Sequence, residues 1–114
     1  MTIDPNSYAI AMTRGDSESL SVRCPADPFT AGDTITFTVR DGAEGDIFLQ
    51  KTVTDFDEGV AVISMETEDT EGMDFGTYRY DIQLTDADGK VITLIPPRPG
   101  KLPKFTLTEE ATYG

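Results

Sequence analysis

No histidine and no tryptophan occur among the 114 residues, and there is a single cysteine. Without histidine there is no imidazole base, no Ser-His or Cys-His pair and no His metal ligand. One cysteine allows neither an intrachain disulfide nor a thiolate zinc cluster. Positive charge is scarce as well. Nine Lys+Arg face 21 Asp+Glu, a formal net charge of −12, which repels phosphate backbones and anionic bilayers. Nucleic acid and membrane are therefore not expected partners. No apolar run approaches the ~20 residues that span a bilayer. Met1–Asn6 also lacks the basic start and apolar stretch of a secretory signal.

The chain length fits one domain, which at this size buries roughly two-thirds of its unfolded surface without metal or disulfide. With 38% hydrophobic residues, a core depends on good patterning, and the pattern present is alternation with a period of two. In 33–40, Ile35, Phe37 and Val39 face one way and Thr34, Thr36, Thr38 and Arg40 the other. In 78–85, Tyr78, Tyr80, Ile82 and Leu84 alternate with Arg79, Asp81, Gln83 and Thr85. Leu20, Val22 and Cys24 share one phase, as do Tyr8, Ile10 and Met12. Further strands are predicted at 47–54, 59–65, 90–95 and 104–108. Turn chemistry separates them: Arg14-Gly15-Asp16, Pro25–Gly32, Asp41–Asp46, a hairpin at Asp57-Glu58-Gly59, and a second at Asp86–Gly89. Within 67–73, Thr67 followed by Glu68 and Asp69 is placed to cap one short helical turn.

Seven or eight short strands with turns every 8–12 residues predict an all-β fold, a sandwich or a small barrel. One wet face per strand favours an antiparallel β-sandwich, which the tyrosine-corner spacing of Asp74–Tyr78 likens to the immunoglobulin-like type. One domain is expected over 8–108, with tails at 1–7 and 109–114. The Asp74-Phe75-Gly76-Thr77-Tyr78 segment carries the spacing of a tyrosine corner, in which a tyrosine hydroxyl bonds backbone at the start of a strand. The position two residues on is Tyr80 rather than cysteine, so the intersheet disulfide of antibody domains is absent.

Several short motifs admit a functional reading and a structural one. Arg14-Gly15-Asp16-Ser17 matches the integrin-binding tripeptide but reads as a turn between strands. Asp86-x-Asp88-Gly89 and the Asp41–Asp46 loop offer oxygens to calcium, yet a calcium loop needs six to eight and Lys90 follows at once. Pro96-Pro97-Arg98-Pro99-Gly100-Lys101 has the form of a polyproline ligand but reads rather as an edge strand broken in two, which blunts the edge or lets the chain switch sheets. Among 21 acids some pair always lies at glycosidase spacing, but without tryptophan there is little to hold a sugar. Cys24, on an inward phase, reads as a small core residue. No catalytic, cofactor-binding or metal-binding residue is assigned.

Met12–Ser17, then Gly32–Arg40, an acidic helical turn, Gly76-Thr77-Tyr78-Arg79-Tyr80-Asp81-Ile82-Gln83-Leu84 and Thr85–Lys90 follow one another in an order that resembles the small immunoglobulin-like modules of phages and prophages of Gram-positive bacteria, of the type at the N-terminus of baseplate upper proteins. The resemblance covers about residues 8–108. It implies a non-catalytic assembly module in a virion tail or baseplate, made in the bacterial host cytoplasm and then incorporated. Its partners would be other virion proteins or further copies of itself, met through loops at one sandwich end or by strand addition. The alternative is a bacterial surface or adhesion module that binds a glycan or a protein.

Overall fold

The structure is a computed structural model that describes residues 2–3, 7–22, 29–41, 45–56, 58–96 and 101–108. The chain runs β1 (Thr2–Ile3), β2 (Ile10–Thr13), β3 (Glu18–Val22), β4 (Thr34–Arg40), β5 (Ile47–Val53), β6 (Ala61–Met65), α1 (Thr67–Glu71), β7 (Gly76–Thr85), β8 (Val91–Ile95) and β9 (Lys104–Thr108). Seven strands form one sheet in the order β1-β2-β9-β7-β4-β5, with β8 also paired to β7. The second sheet is the pair β3-β6. The protein is an all-β sandwich with one short helix, and its chain crosses between the layers several times.

Alternation decides which side chains fill the space between the sheets. Ile35, Phe37 and Val39 of β4 and Tyr80 and Ile82 of β7 are buried, as are Ile10 and Met12 of β2 and Phe105 and Leu107 of β9. Leu20, Val22, Ala61, Ile63 and Met65 meet them from the smaller sheet. Phe37 lies at the centre, with ring centroids 5.5 Å from Tyr80 and 6.1 Å from Phe105. Tilted and edge-on pairs of this kind add about 0.5–1.5 kcal/mol each beyond area burial.

The predicted strands at 33–40, 47–54, 78–85, 90–95 and 104–108 all form with small changes of boundary. Four expectations need correction. The sandwich is not wholly antiparallel: β2 lies parallel to β9, with Ile10 opposite Phe105 and Met12 opposite Leu107. Parallel pairing of strands so far apart in sequence leaves no local signal. The turn containing Glu58 and Gly59 is not a hairpin, because β5 pairs with β4 while β6 pairs with β3. Its positive φ values, 54° and 76°, turn the chain from one sheet to the other. Thr38 is buried despite its outward phase, since β4 is flanked on both sides and Gln50 Nε2 covers it, donating to Thr38 Oγ1 at 3.1 Å. Finally, the helix cap is Glu66, one residue earlier than predicted, and its backbone N–H donates to Asp69 Oδ2 at 2.7 Å.

The proline-rich segment does not switch sheets. β8 and β9 pair with the same edge of β7, β8 along its C-terminal half and β9 along its N-terminal half. One edge partner of β7 is thus broken in two after Ile95, and the Ile95–Pro96 peptide is cis. Leu102 and Pro103 rejoin β7: Arg79 Nη1 donates to the Leu102 carbonyl at 2.9 Å, and the Tyr80 N–H to the Pro103 carbonyl at 3.1 Å. Thr2–Ile3 pairs antiparallel with Ile10–Ala11 inside the segment expected as a tail. The predictions for Cys24, for 25–28 of the Pro25–Gly32 turn, for 42–44 of the Asp41–Asp46 loop, for Asp57, for Pro97–Gly100, and for 1, 4–6 and 109–114 of the tails fall outside the described residues.

Candidate docking surface

At one end of the sandwich the tyrosine corner is built as its spacing requires. The Tyr78 hydroxyl donates to the Asp74 carbonyl at 2.7 Å, and Gly76 takes φ 143°, a backbone conformation closed to most side chains. Burial raises the Tyr78 hydroxyl above its ordinary range, and the charges of Asp74 and Asp41 add to the shift. Phe48, the extra residue at a bulge between β4 and β5, packs edge-on against the Tyr78 ring with centroids 5.2 Å apart.

The Arg14–Ser17 turn folds onto this corner rather than away from it. The Arg14 guanidinium stacks over the Phe75 ring at 4.0 Å, and its Nη1 donates to the Met73 carbonyl at 3.3 Å. The Gly15 N–H donates to Thr70 Oγ1 at 2.8 Å, and the Ser17 and Thr67 hydroxyls lie 3.3 Å apart. An integrin ligand needs Arg and Asp splayed outward. Here the arginine is a clamp between the β2–β3 turn and the segment that follows α1.

The Asp86–Gly89 loop is a hairpin turn held by its own carboxylate. Asp86 Oδ1 accepts from the N–H groups of Asp88 and Lys90, both at 2.9 Å, and Gly89 takes φ 85°. Among the described residues no three acids or cysteines lie where they would hold one metal ion. Asp81 sits on the outer face of the larger sheet opposite Thr38, and burial raises its carboxyl above the usual range, against the pull of Arg40. On β7 the Tyr80 hydroxyl, which donates to the Tyr8 carbonyl, is also pushed well upward, chiefly by burial. A shallow, open depression of about 320 Å³ is lined by Asp55, Phe56, Val60 and Val62. None of these places brings a nucleophile and a base together.

No family model and no curated protein matches this chain. Function must therefore be argued from the surface itself.

Four of the six exposed large apolar side chains among the described residues lie on two margins of the larger sheet, the others being Val62 of β6 and Phe75. Val91 and Ile92 of β8 are 55% and 42% exposed, and Ile47 and Phe48 of β5 are 48% and 47% exposed. Both strands pair on one side only among the described residues, β8 with β7 and β5 with β4. Each therefore presents a row of unpaired backbone N–H and C=O groups. Natural sheets usually blunt such margins with charge or proline. The sequence Val91-Ile92-Thr93-Leu94-Ile95 has neither until Pro96 ends it, and Lys51, the one charge on β5, is held by Asp69 at 2.7 Å. The proline-rich stretch marks the strand at 90–95 as half of an edge strand, whereas nothing local marks 47–54 as a margin. Sheet membership depends on partners far away in the chain. The signal available was compositional: a five-residue run without charge, four of its residues β-branched, in a chain of net charge −12.

Proposed function

We propose that this chain is a non-catalytic docking module that works by protein-protein contact, as a structural component of a phage or prophage virion, associated with tail or baseplate. One observation carries the contact reading: the open, uncharged margin β8, whose apolar side chains stand exposed on an otherwise acidic body. Strand addition to such a margin supplies main-chain hydrogen bonds for affinity, and alternate side chains supply selectivity. The virion assignment rests on the order of motifs from Met12 to Lys90, above all the Gly76–Asp86 run, which resembles phage modules. The −12 charge keeps free copies soluble and repels nucleic acid, which suits a component handled near a packaged genome.

Fractionation of virions from the strain that carries the gene tests this reading. The chain is expected in purified particles, among tail components and resistant to a salt wash. Recovery only from the unassembled fraction contradicts the reading.

A further inference from the structure

The two unpaired margins of the larger sheet differ in charge, although the turn before β8 also holds the exposed Asp88 and Asp86, and the Asp86 carboxylate accepts from the N–H groups of Asp88 and Lys90. Residues 89–108 contain Lys90, Arg98, Lys101 and Lys104 and none of the chain's 21 acids. Of these, Lys90, Lys101 and Lys104 are exposed, with Lys90 directly before β8. The other margin is bracketed by acids. Asp46 precedes β5, Asp55 follows it, and both are exposed, as are Glu68 and Glu71 of the neighbouring α1. The only basic residue on β5, Lys51, is neutralised within the chain by Asp69.

Strand directions fit these margins to one another. β8 is antiparallel to β7, β7 to β4, and β4 to β5, so β8 and β5 run in opposite directions within one copy. A second copy placed beside the first in the same orientation would therefore set its β5 antiparallel to β8. The ladder would continue in the same sense, and the inner faces of both sandwiches would stay on the same side. Antiparallel pairing directs Lys90, at the start of β8, toward the end of β5 where Asp55 stands.

We infer that copies of this chain join head to tail, β8 of one adding to β5 of the next as an antiparallel extension of the larger sheet. The occupant of the docking margin is a second copy, selected by Lys90 facing Asp55 at one strand end and by uncharged apolar side chains along β8. The contact uses different surfaces on the two copies, so it does not terminate at a dimer. Successive copies make a ring if the rotation closes and an open row if it does not. This deepens the docking reading above and rests on it.

The test uses two variants of the full chain, each with one margin disabled by an inward-breaking charge or proline: Ile92→Lys on β8 and Gln50→Pro on β5. Sedimentation velocity across a concentration series should show the unaltered chain growing beyond dimers. Each variant alone should stay monomeric, and the two mixed should form a 1:1 pair and nothing larger, since only one competent margin remains on each. Circular dichroism and thermal unfolding establish that each variant is folded. Should Gln50→Pro fail to fold, the mixing arm is dropped and Asp55→Lys reports on the β5 margin through weakened association instead. Lys90→Glu and Asp55→Lys should each weaken association, on the order of tenfold, and the chain carrying both should recover it. A monomeric unaltered chain at every concentration overturns the inference, as does a Gln50→Pro or Asp55→Lys variant that still self-associates through β8 as fully as the unaltered chain. The virion assignment stands apart from these outcomes. A chain that is monomeric here yet present in particles fails the head-to-tail contact alone, whereas one that polymerises but never enters particles fails the virion assignment alone.

Discussion

Tyr78 shows how one side chain fixes a corner. Its hydroxyl bond to the Asp74 carbonyl ties the start of β7 to the loop that leaves α1, and its ring supports Phe48 across the end of β4. Tyr78→Phe keeps the ring and removes the bond, so stability should fall by about 0.5–1.5 kcal/mol, measured as a lower urea midpoint at unchanged slope. Gly76, two residues earlier, has open space around a would-be Cβ but a φ of 143°. Gly76→Ala should therefore cost about 1–3 kcal/mol through backbone strain alone, with no steric clash.

Titration sets a pH limit at the same scale. The Tyr80 and Tyr78 hydroxyls are both raised by burial above the ordinary tyrosine range. The folded state then holds these protons more tightly than the unfolded chain does. Their contribution to stability is fully present below about pH 10 and is lost as pH rises through the folded values. Thermal unfolding followed up to alkaline pH should show Tyr80→Phe losing less stability over that range than the unaltered chain. Asp81 follows the same sign at acid pH. Its raised carboxyl means that ionisation costs stability, so Asp81→Asn should raise the melting temperature at neutral pH and change it less at pH values below the ordinary carboxylate range.

At the scale of elements, the period-two alternation of Ile35-Phe37-Val39 and Tyr78-Tyr80-Ile82 was enough to place two central strands and their buried faces. Burial acts directly on alternation, so the sequence carries that information locally. Neighbourhood is different. Nothing in Ile10–Thr13 says that it lies parallel to Lys104–Thr108, and nothing in Glu58-Gly59 distinguishes a hairpin from a crossing between sheets. Thr38 shows the same boundary: its phase is outward, but its burial depends on Gln50 from the adjoining strand. The tyrosine corner was legible because its residues lie within five positions, and the β8 margin because prolines break its strand, whereas the β5 margin was not, because an edge is defined by what does not pair with it. The elements also differ in what they contribute. Ile63 of β6 is fully buried against the larger sheet, so Ile63→Ala should cost about 2–5 kcal/mol by transfer and cavity formation. Ile92→Thr on β8, where the side chain is already half in water, should cost far less. Paired urea titrations of the two variants compare them directly.

On the scale of the whole molecule, the account joins an acidic body, a core closed by two sheets, and one sheet whose margins are left open. The charge is unevenly spread: the segment from Gly89 to Thr108 is basic and the rest carries every acid up to Asp88, with two more at Glu109 and Glu110. Such a distribution favours contact between unlike margins and opposes contact between like ones. It is a matching of surfaces, and no acid-base pair or metal site enters it.

Amide hydrogen exchange tests the central claim, contact through the sheet margins, most directly. Exchange of Val91–Ile95 is compared between dilute free chain and the assembled state, whether in concentrated solution or in particles. In dilute solution the outward-facing amides of β8 should exchange quickly beside a protected β7, and assembly should slow them strongly while the exposed amides of β3 and β6 keep their rates. Unchanged exchange in β8 on assembly, with protection appearing in the end loops instead, would contradict the account.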